Sequence, residues 1–267
     1  MNEQLNITET ENNQNDIASR FDCQVMLPYY EQDGITIYNG KAETVLQQMV
    51  GSIDLVITSP PYNTGGKSLG YHPKSKTGDF FYNEYNDNMS AEEYEAWVCK
   101  MIEETLRVAE HAFWNMQMLA NNKTTIINIM TKYENRLKDI FIWQKQAVAQ
   151  IAGGILAKGY EFIMMFGQNN SMKFENVNFP QNGYVPNIQT WYKKESFKEH
   201  HATFPVELPQ YFIEYFTKQG GLVLDPFAGV GTSLVAAKRL GRRAIGIEIN
   251  KTYCDIAINR LSQMELF

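Results

Sequence analysis

Two clusters of residues in this chain could do chemistry. The first is Thr58-Ser59-Pro60-Pro61-Tyr62-Asn63. It follows an apolar run, Ile53 to Ile57, that reads as a buried strand. Proline lacks an N–H and fixes φ, so a strand cannot continue through Pro60-Pro61. The chain must leave the sheet in a stiff, extended turn that presents Ser59, backbone carbonyls and the ring of Tyr62. Rigid acceptors beside an aromatic face suit a planar ring with an exocyclic amino group. By itself the stretch also fits an ordinary strand followed by a Pro-Pro loop.

The second cluster lies far downstream. Gly221 to Asp225 reads as a strand, Pro226-Phe227-Ala228-Gly229-Val230-Gly231-Thr232 opens a helix, and Arg243 to Glu248 reads as the next strand. Gly229 and Gly231 allow a tight turn and a close approach of backbone to ligand. The helix N-terminus beyond them offers N–H groups that suit a carboxylate. Glu248 ends the second strand, at the place where an acid accepts hydrogen bonds from ribose hydroxyls. This is a nucleotide-binding βαβ half; a dinucleotide fold of another kind is the competing reading.

Taken together, Ser-Pro-Pro-Tyr at 59–62 and Asp-Pro-Phe-Ala-Gly-Val-Gly-Thr at 225–232 resemble the two signature motifs of the DNA amino-methyltransferases. These enzymes methylate N6 of adenine or N4 of cytosine with S-adenosylmethionine. The reactive turn precedes the cofactor loop, which is the permuted order of the beta group, and the resemblance runs from about 34 to 263. It implies a Rossmann-like α/β methyltransferase fold: a mostly parallel sheet with an antiparallel end and helices on both faces. It also implies that Ser59, Pro60, Pro61 and Tyr62 are catalytic. The cofactor would lie on Asp225, which faces the methionine amino group, on Phe227 as a cover, and on Gly229, Gly231, Thr232, Glu248 and Asn250. Phe204, in the Phe-Pro pair before the loop, would wall its site. Double-stranded DNA is the implied partner, with Asn63, Lys67, Lys74, Lys76, Lys193 and Lys194 as candidate contacts. The family allows a homodimer and a companion restriction enzyme. One residue departs from the pattern. Relatives commonly carry an acid after the first strand's Asn-Gly, near the cofactor adenine, and this chain has Lys41.

Serine before Pro-Pro is commoner in the cytosine-N4 group, whereas asparagine after the tyrosine is commoner in the adenine group. The base therefore stays open. So do an RNA or protein-amide substrate, and a non-catalytic binder of DNA or cofactor.

The elements that must position these motifs read from periodicity. Residues 34–38 form a strand, 41–49 a helix and 53–58 a strand, a βαβ unit that predicts parallel pairing of its two strands. Ser90 with Glu93 makes a capping box for a helix carrying Tyr94, Trp97, Val98, Met101, Ile102 and Leu106. Strand 112–116 and helix 121–133 follow. Strands at 139–143 and 160–166 suit the antiparallel end. A helix spans 206–217, and Asn250 caps a last helix to about Gln263. Residues 1–20 read as a disordered polar tail, and 21–267 as a single domain. Within it, 64–88 reads as a flexible aromatic loop beside the reactive turn, either a clamp on nucleic acid or a surface insertion. Residues 167–198 show no helix or strand periodicity, and the resemblance makes them a short target-recognition insertion.

Composition sets outer bounds. The 267 residues are 44% hydrophobic, enough for a substantial core. The net charge of −6 gives no global basic footprint for nucleic acid, so local clusters would have to supply it. Lys67, Lys74, Lys76 and His72 form one; Lys193, Lys194 and Lys198 a second; Arg239, Arg242 and Arg243 a third. Each alone reads as a solvated face. Three widely spaced cysteines without Cys-x-x-Cys, and four histidines without ligand spacing, predict neither disulfides nor a metal site. No apolar run is long enough to cross a membrane. A cytoplasmic protein of prokaryotic or phage type is expected.

Overall fold

A computed structural model describes residues 27–64, 88–145, 159–174, 177–180, 184–191 and 204–263. Its nine strands are β1 (Tyr30–Gln32), β2 (Ile35–Asn39), β3 (Leu55–Thr58), β4 (His111–Met116), β5 (Leu137–Gln144), β6 (Tyr160–Gly167), β7 (Ile188–Thr190), β8 (Leu222–Asp225) and β9 (Arg243–Glu248). The helices are α1 (Ala42–Gln48), α2 (Ala91–Val108), α3 (Lys123–Lys132), α4 (Glu207–Phe216), α5 (Thr232–Arg239) and α6 (Lys251–Gln263).

All nine strands join one sheet in the order β1-β2-β9-β8-β3-β4-β6-β5-β7. From β2 through β4 the neighbours are parallel. β6 runs antiparallel to both β4 and β5, giving the expected antiparallel end. Alternate side chains leave a strand on opposite faces, and the two faces build two cores. Val56, Trp114, Met164, Leu224 and Ile247 meet α1, α2 and α3. Leu55, Ile57, Phe113, Ile163, Val223 and Ala244 meet α4, α5 and α6. A sheet covered on both sides explains why β3 and β8 read as unbroken apolar runs.

Two readings of the sequence change, and one strand is new. β2 and β3 are parallel but do not pair, because β9 and β8 lie between them. The downstream half supplies the strands that fill the gap, which local periodicity cannot reveal. Tyr30 to Gln32 adds an edge strand before β2. It turns into β2 through Asp33-Gly34, both at positive φ (51° and 75°), and Gln32 faces Ile35. Asp-Gly between short strands is a strong two-residue hairpin signal. Finally, the irregular stretch 167–198 contains β7, which pairs in parallel with β5 over Ile142 to Gln144. Three residues are too few to show a period.

Local signals held where side chains act on their own backbone. Ser90 Oγ accepts from Glu93 N while Glu93 Oε2 accepts from Ser90 N, at 3.2 and 3.0 Å. Asn250 Oδ1 accepts from Thr252 N and Tyr253 N at the start of α6.

Candidate active site

β3 and β8 are parallel neighbours, with Leu55 opposite Val223 and Val56 opposite Leu224. Both end at the same edge, where ligands bind in open α/β sheets. The Pro-Pro turn leaves β3 there, and the glycine loop leaves β8. A buried hydrogen bond joins them: Thr58 Oγ1 donates to Asp225 Oδ1 at 2.6 Å.

Asp225 is 1% exposed. Its Oδ1 also accepts from Phe227 N at 3.0 Å, and its Oδ2 accepts from Ser233 Oγ at 2.5 Å. Burial raises its carboxyl pKa above the ordinary carboxylate value, and these three donors act in the opposite direction. A carboxylate has about four acceptor positions, so at most one remains for a ligand. Asp225 is first of all the clamp between reactive turn, glycine loop and α5.

The loop turns at Gly229 and Gly231, at φ 52° and 74°. A Cβ on Gly231 would stand 2.7 Å from Ala257 Cβ of α6, so this glycine is demanded by helix packing as well as by its φ. Glu248 holds the loop from β9: Oε2 accepts from Gly229 N at 2.9 Å and Oε1 from Asn250 N at 2.8 Å. Its carboxylate stays part-exposed. Thr232 is buried, and its Oγ1 accepts from Arg260, which also donates to Val230 O. Phe227 is half-buried between the rings of Trp97 and Trp114. Phe204 packs on the α4–α6 core. Asn39 Nδ2 ties the end of β2 to Glu248 O and Ile249 O. Lys41 is exposed just before α1, and the acid two residues on, Glu43, accepts from Trp97 Nε1. A part-exposed carboxylate suited to hydroxyls, a tight glycine loop and a half-buried aromatic fit an adenosyl cofactor.

On the other side of the seam, the turn is braced by Tyr94, Asn122 and Met89. Tyr94 of α2 donates to Pro61 O at 2.7 Å, and Asn122 Nδ2 donates to Tyr62 O at 3.1 Å. Asn63 takes φ 57° and is buried. Its side chain accepts from Met89 N and donates to Met89 O, at 2.8 and 2.9 Å. Asn63, a candidate DNA contact by sequence, is thus committed to joining the chain before and after the 64–88 stretch. Lys67, Lys74, Lys76, Lys193 and Lys194 lie outside the described residues, as does nearly all of that stretch.

The Tyr62 hydroxyl lies 3.0 Å from Ser59 Oγ, 3.2 Å from Asn115 O and 3.1 Å from Glu161 Oε2. Asn115 Nδ2 donates to Glu161 Oε2 at 2.6 Å and to the Tyr62 hydroxyl at 3.1 Å. Lys145 Nζ meets Glu161 Oε1 at 2.5 Å. Burial, and then the Glu161 charge, push the Tyr62 hydroxyl pKa well above the ordinary phenol value. Sequence reasoning missed Asn115, Glu161 and Lys145. The available signal was Asn115 and Glu161, polar residues inside largely apolar strands.

Among the described residues, no group of three His, Cys, Asp or Glu could hold a metal ion, and no helix is long and apolar enough to cross a membrane.

A seam with a nucleoside-suited loop on one strand and an acceptor-bearing Pro-Pro-Tyr turn on its neighbour is the architecture of an S-adenosylmethionine-dependent methyltransferase. Comparison with known proteins agrees and goes further. A family model described as DNA methylase matches residues 53–259, and the chain belongs to that N6/N4 methyltransferase family. It is 27% identical over 272 residues to the type II methyltransferase M.ScaI of Streptomyces caespitosus, spanning 88% of this chain and 83% of that one. The fold is shared with the cytosine-N4-specific PvuII DNA methyltransferase (TM-score 0.67, 18% identity, 90% of this chain and 89% of that one). It is also shared with M1.HpyAVI, solved with S-adenosylmethionine (TM-score 0.59, 23% identity, 85% and 99%). The chain is therefore an S-adenosylmethionine-dependent DNA methyltransferase acting on an exocyclic amino group.

Proposed function

We propose that this enzyme methylates N4 of a cytosine flipped out of duplex DNA, with Ser59 and Tyr62 holding the base. The observation that carries this reading is the Thr58–Asp225 hydrogen bond, which fixes the reactive turn against the cofactor loop. Positioning of this kind supplies much of the rate in a direct transfer.

The target amino group is out of reach inside a duplex, and extruding the base costs a few kcal/mol. Stacking on Tyr62 returns about 1–3 kcal/mol. Ser59 Oγ and the Pro60 carbonyl accept the amino hydrogens, which draws the nitrogen toward tetrahedral geometry and frees its lone pair. S-adenosylmethionine, when bound, supplies an electrophilic methyl group. Gly229 and Gly231 would shape the loop that holds it, Glu248 would accept from its ribose hydroxyls, and Phe227 and Phe204 would wall it. Asp225 would have at most one acceptor position for its amino group.

Cytosine is favoured over adenine because the two sequence indications no longer balance. Asn63, which pointed to adenine, is a buried brace on Met89 and has no need of a particular base. Ser59 remains, and it points to cytosine N4. The cytosine-N4 specificity of the PvuII enzyme, which shares this fold, is in keeping with this. The type II designation of the relatives supports a role in restriction–modification, in the cytoplasm beside a restriction enzyme of matching specificity.

Nucleoside mass spectrometry on DNA incubated with protein and methyl-labelled cofactor tests the reading. Labelled N4-methylcytosine is expected. Labelled N6-methyladenine would overturn the base assignment.

A further inference from the structure

Glu161 is a carboxylate no motif predicts. It is 8% exposed and stands at the start of β6, a strand whose next residues are Phe-Ile-Met-Met-Phe. A buried charge is expensive unless paired and hydrogen-bonded. Here Lys145 pairs with Oε1, and Asn115 and Tyr62 donate to Oε2. So much compensation for one charge, beside the reactive turn, calls for a functional reason.

The hydrogen-bond directions supply one. A carboxylate only accepts, so Tyr62 can give its single proton to Glu161. The Ser59–Tyr62 contact, in which either hydroxyl could donate, then runs from Ser59 to Tyr62. Asn115 Nδ2 donates to the same phenolic oxygen. With its own proton turned inward, Ser59 Oγ presents lone pairs to an incoming amino group. The Asn115 amide is oriented by the same carboxylate, and its Oδ1 is buried without a hydrogen-bond partner among the described residues. That leaves a second acceptor in the network for a donor.

We propose that Glu161 is a positioning residue for methyl transfer: acting through Tyr62, it orients Ser59 as an acceptor and takes up the proton the amino group sheds. This rests on the assignment of Ser59 and Tyr62 to the target base. The base nitrogen's lone pair forms the bond to the methyl carbon as the carbon–sulfur bond breaks, and that electron pair stays on sulfur. The nitrogen is left positively charged. One of its protons passes to Ser59 Oγ, the seryl proton to the Tyr62 oxygen, and the phenolic proton to Glu161 Oε2. Cation and carboxylate are both neutralised, Ser59 and Tyr62 are regenerated, and Glu161 releases its proton to water after product leaves. Among the described residues, the charged or titratable groups facing this chain are Lys145 after β5, Tyr62 on the turn and Tyr94 of α2. The neutral serine at this position thereby works with a carboxylate supplied from another strand.

The test compares wild type, Glu161→Gln, Tyr62→Phe and the double variant. Single-turnover methylation and S-adenosylmethionine affinity are measured on each. In the cofactor-free protein, Tyr62 ionisation is followed by tyrosinate absorbance, with Tyr62→Phe as the blank. Glu161→Gln should lose at least about 10-fold in single-turnover rate, below the roughly 100-fold at the low end for directly acting general acid–base groups, with cofactor affinity within about twofold. The double variant should be no slower than the slower single, because both changes cut one chain. The Tyr62 midpoint should fall in Glu161→Gln, since a nearby negative charge is removed. A rate within twofold of wild type, multiplied losses in the double variant, an unmoved midpoint, or cofactor affinity lost together with rate would each overturn the proposal. Failure of the reading beneath it looks different: Ser59→Ala would then leave wild-type turnover unchanged.

Discussion

Asn63 does two jobs at the end of the reactive turn. Its φ of 57° is a conformation that asparagine tolerates and most residues avoid, and its amide joins Met89 to the end of the reactive turn. Asn63→Ala adds left-handed strain and removes two hydrogen bonds, so chemical denaturation should show a loss of about 2–3 kcal/mol. Base preference should not change. At Thr58, replacement by valine keeps the shape but takes one donor from the buried Asp225 carboxylate. The expected loss is about 1–3 kcal/mol, accompanied by weaker S-adenosylmethionine binding in calorimetry. Cys254 belongs to the same scale. Burial and the Glu248 charge push its thiol pKa up to about 12. The reactive form is the thiolate, so at pH 8, well below that value, the thiol stays protonated. Site-resolved mass spectrometry after alkylation should find Cys254 unlabelled in the folded protein and labelled once it is unfolded.

At the scale of elements, the sequence was most legible where a residue acts on its own backbone. The capping box at Ser90 formed as read, and Ser90→Ala should cost about 1 kcal/mol in thermal or chemical unfolding. Apolar periodicity placed β3, β4, β6, β8 and β9 and the helices within a residue or two. It failed for β1 and β7, three residues each, whose existence depends on the neighbour they pair with. Gly231 lies between the two cases. Its place in a ligand loop was evident, but its clash with α6 was not. Gly231→Ala forces a Cβ to within 2.7 Å of Ala257 at positive φ. About 1–2 kcal/mol for the backbone and about 1–3 kcal/mol for overpacking should appear as lost stability, with cofactor affinity falling as the loop shifts.

For the whole molecule, the acidic balance of 24 basic to 30 acidic residues means that DNA must be held by local patches against an unfavourable overall field. Binding to duplex DNA should therefore weaken steeply with salt, by about 0.9 log units per tenfold in salt for each phosphate neutralised. Fluorescence anisotropy from low to physiological salt measures that slope. A slope near zero would mean that phosphate contacts do not hold the duplex.

The chain alone determined the motifs, their permuted order, most of the elements and hence the family. These depend on residue type and near-neighbour spacing, which covalent sequence carries directly. Tertiary structure decided what the motifs are joined to. β8 and β9, from the far end of the chain, lie between β2 and β3, so Asp225 comes to bond Thr58 across 167 residues. β6 runs antiparallel to β4, which puts its first residues at the edge where β4 ends. Asn115 pairs with Ile163, and Glu161, two residues along, shares that face. A carboxylate 99 residues from Tyr62 thus reaches the site because of strand direction, and no short-range pattern in the sequence encodes that.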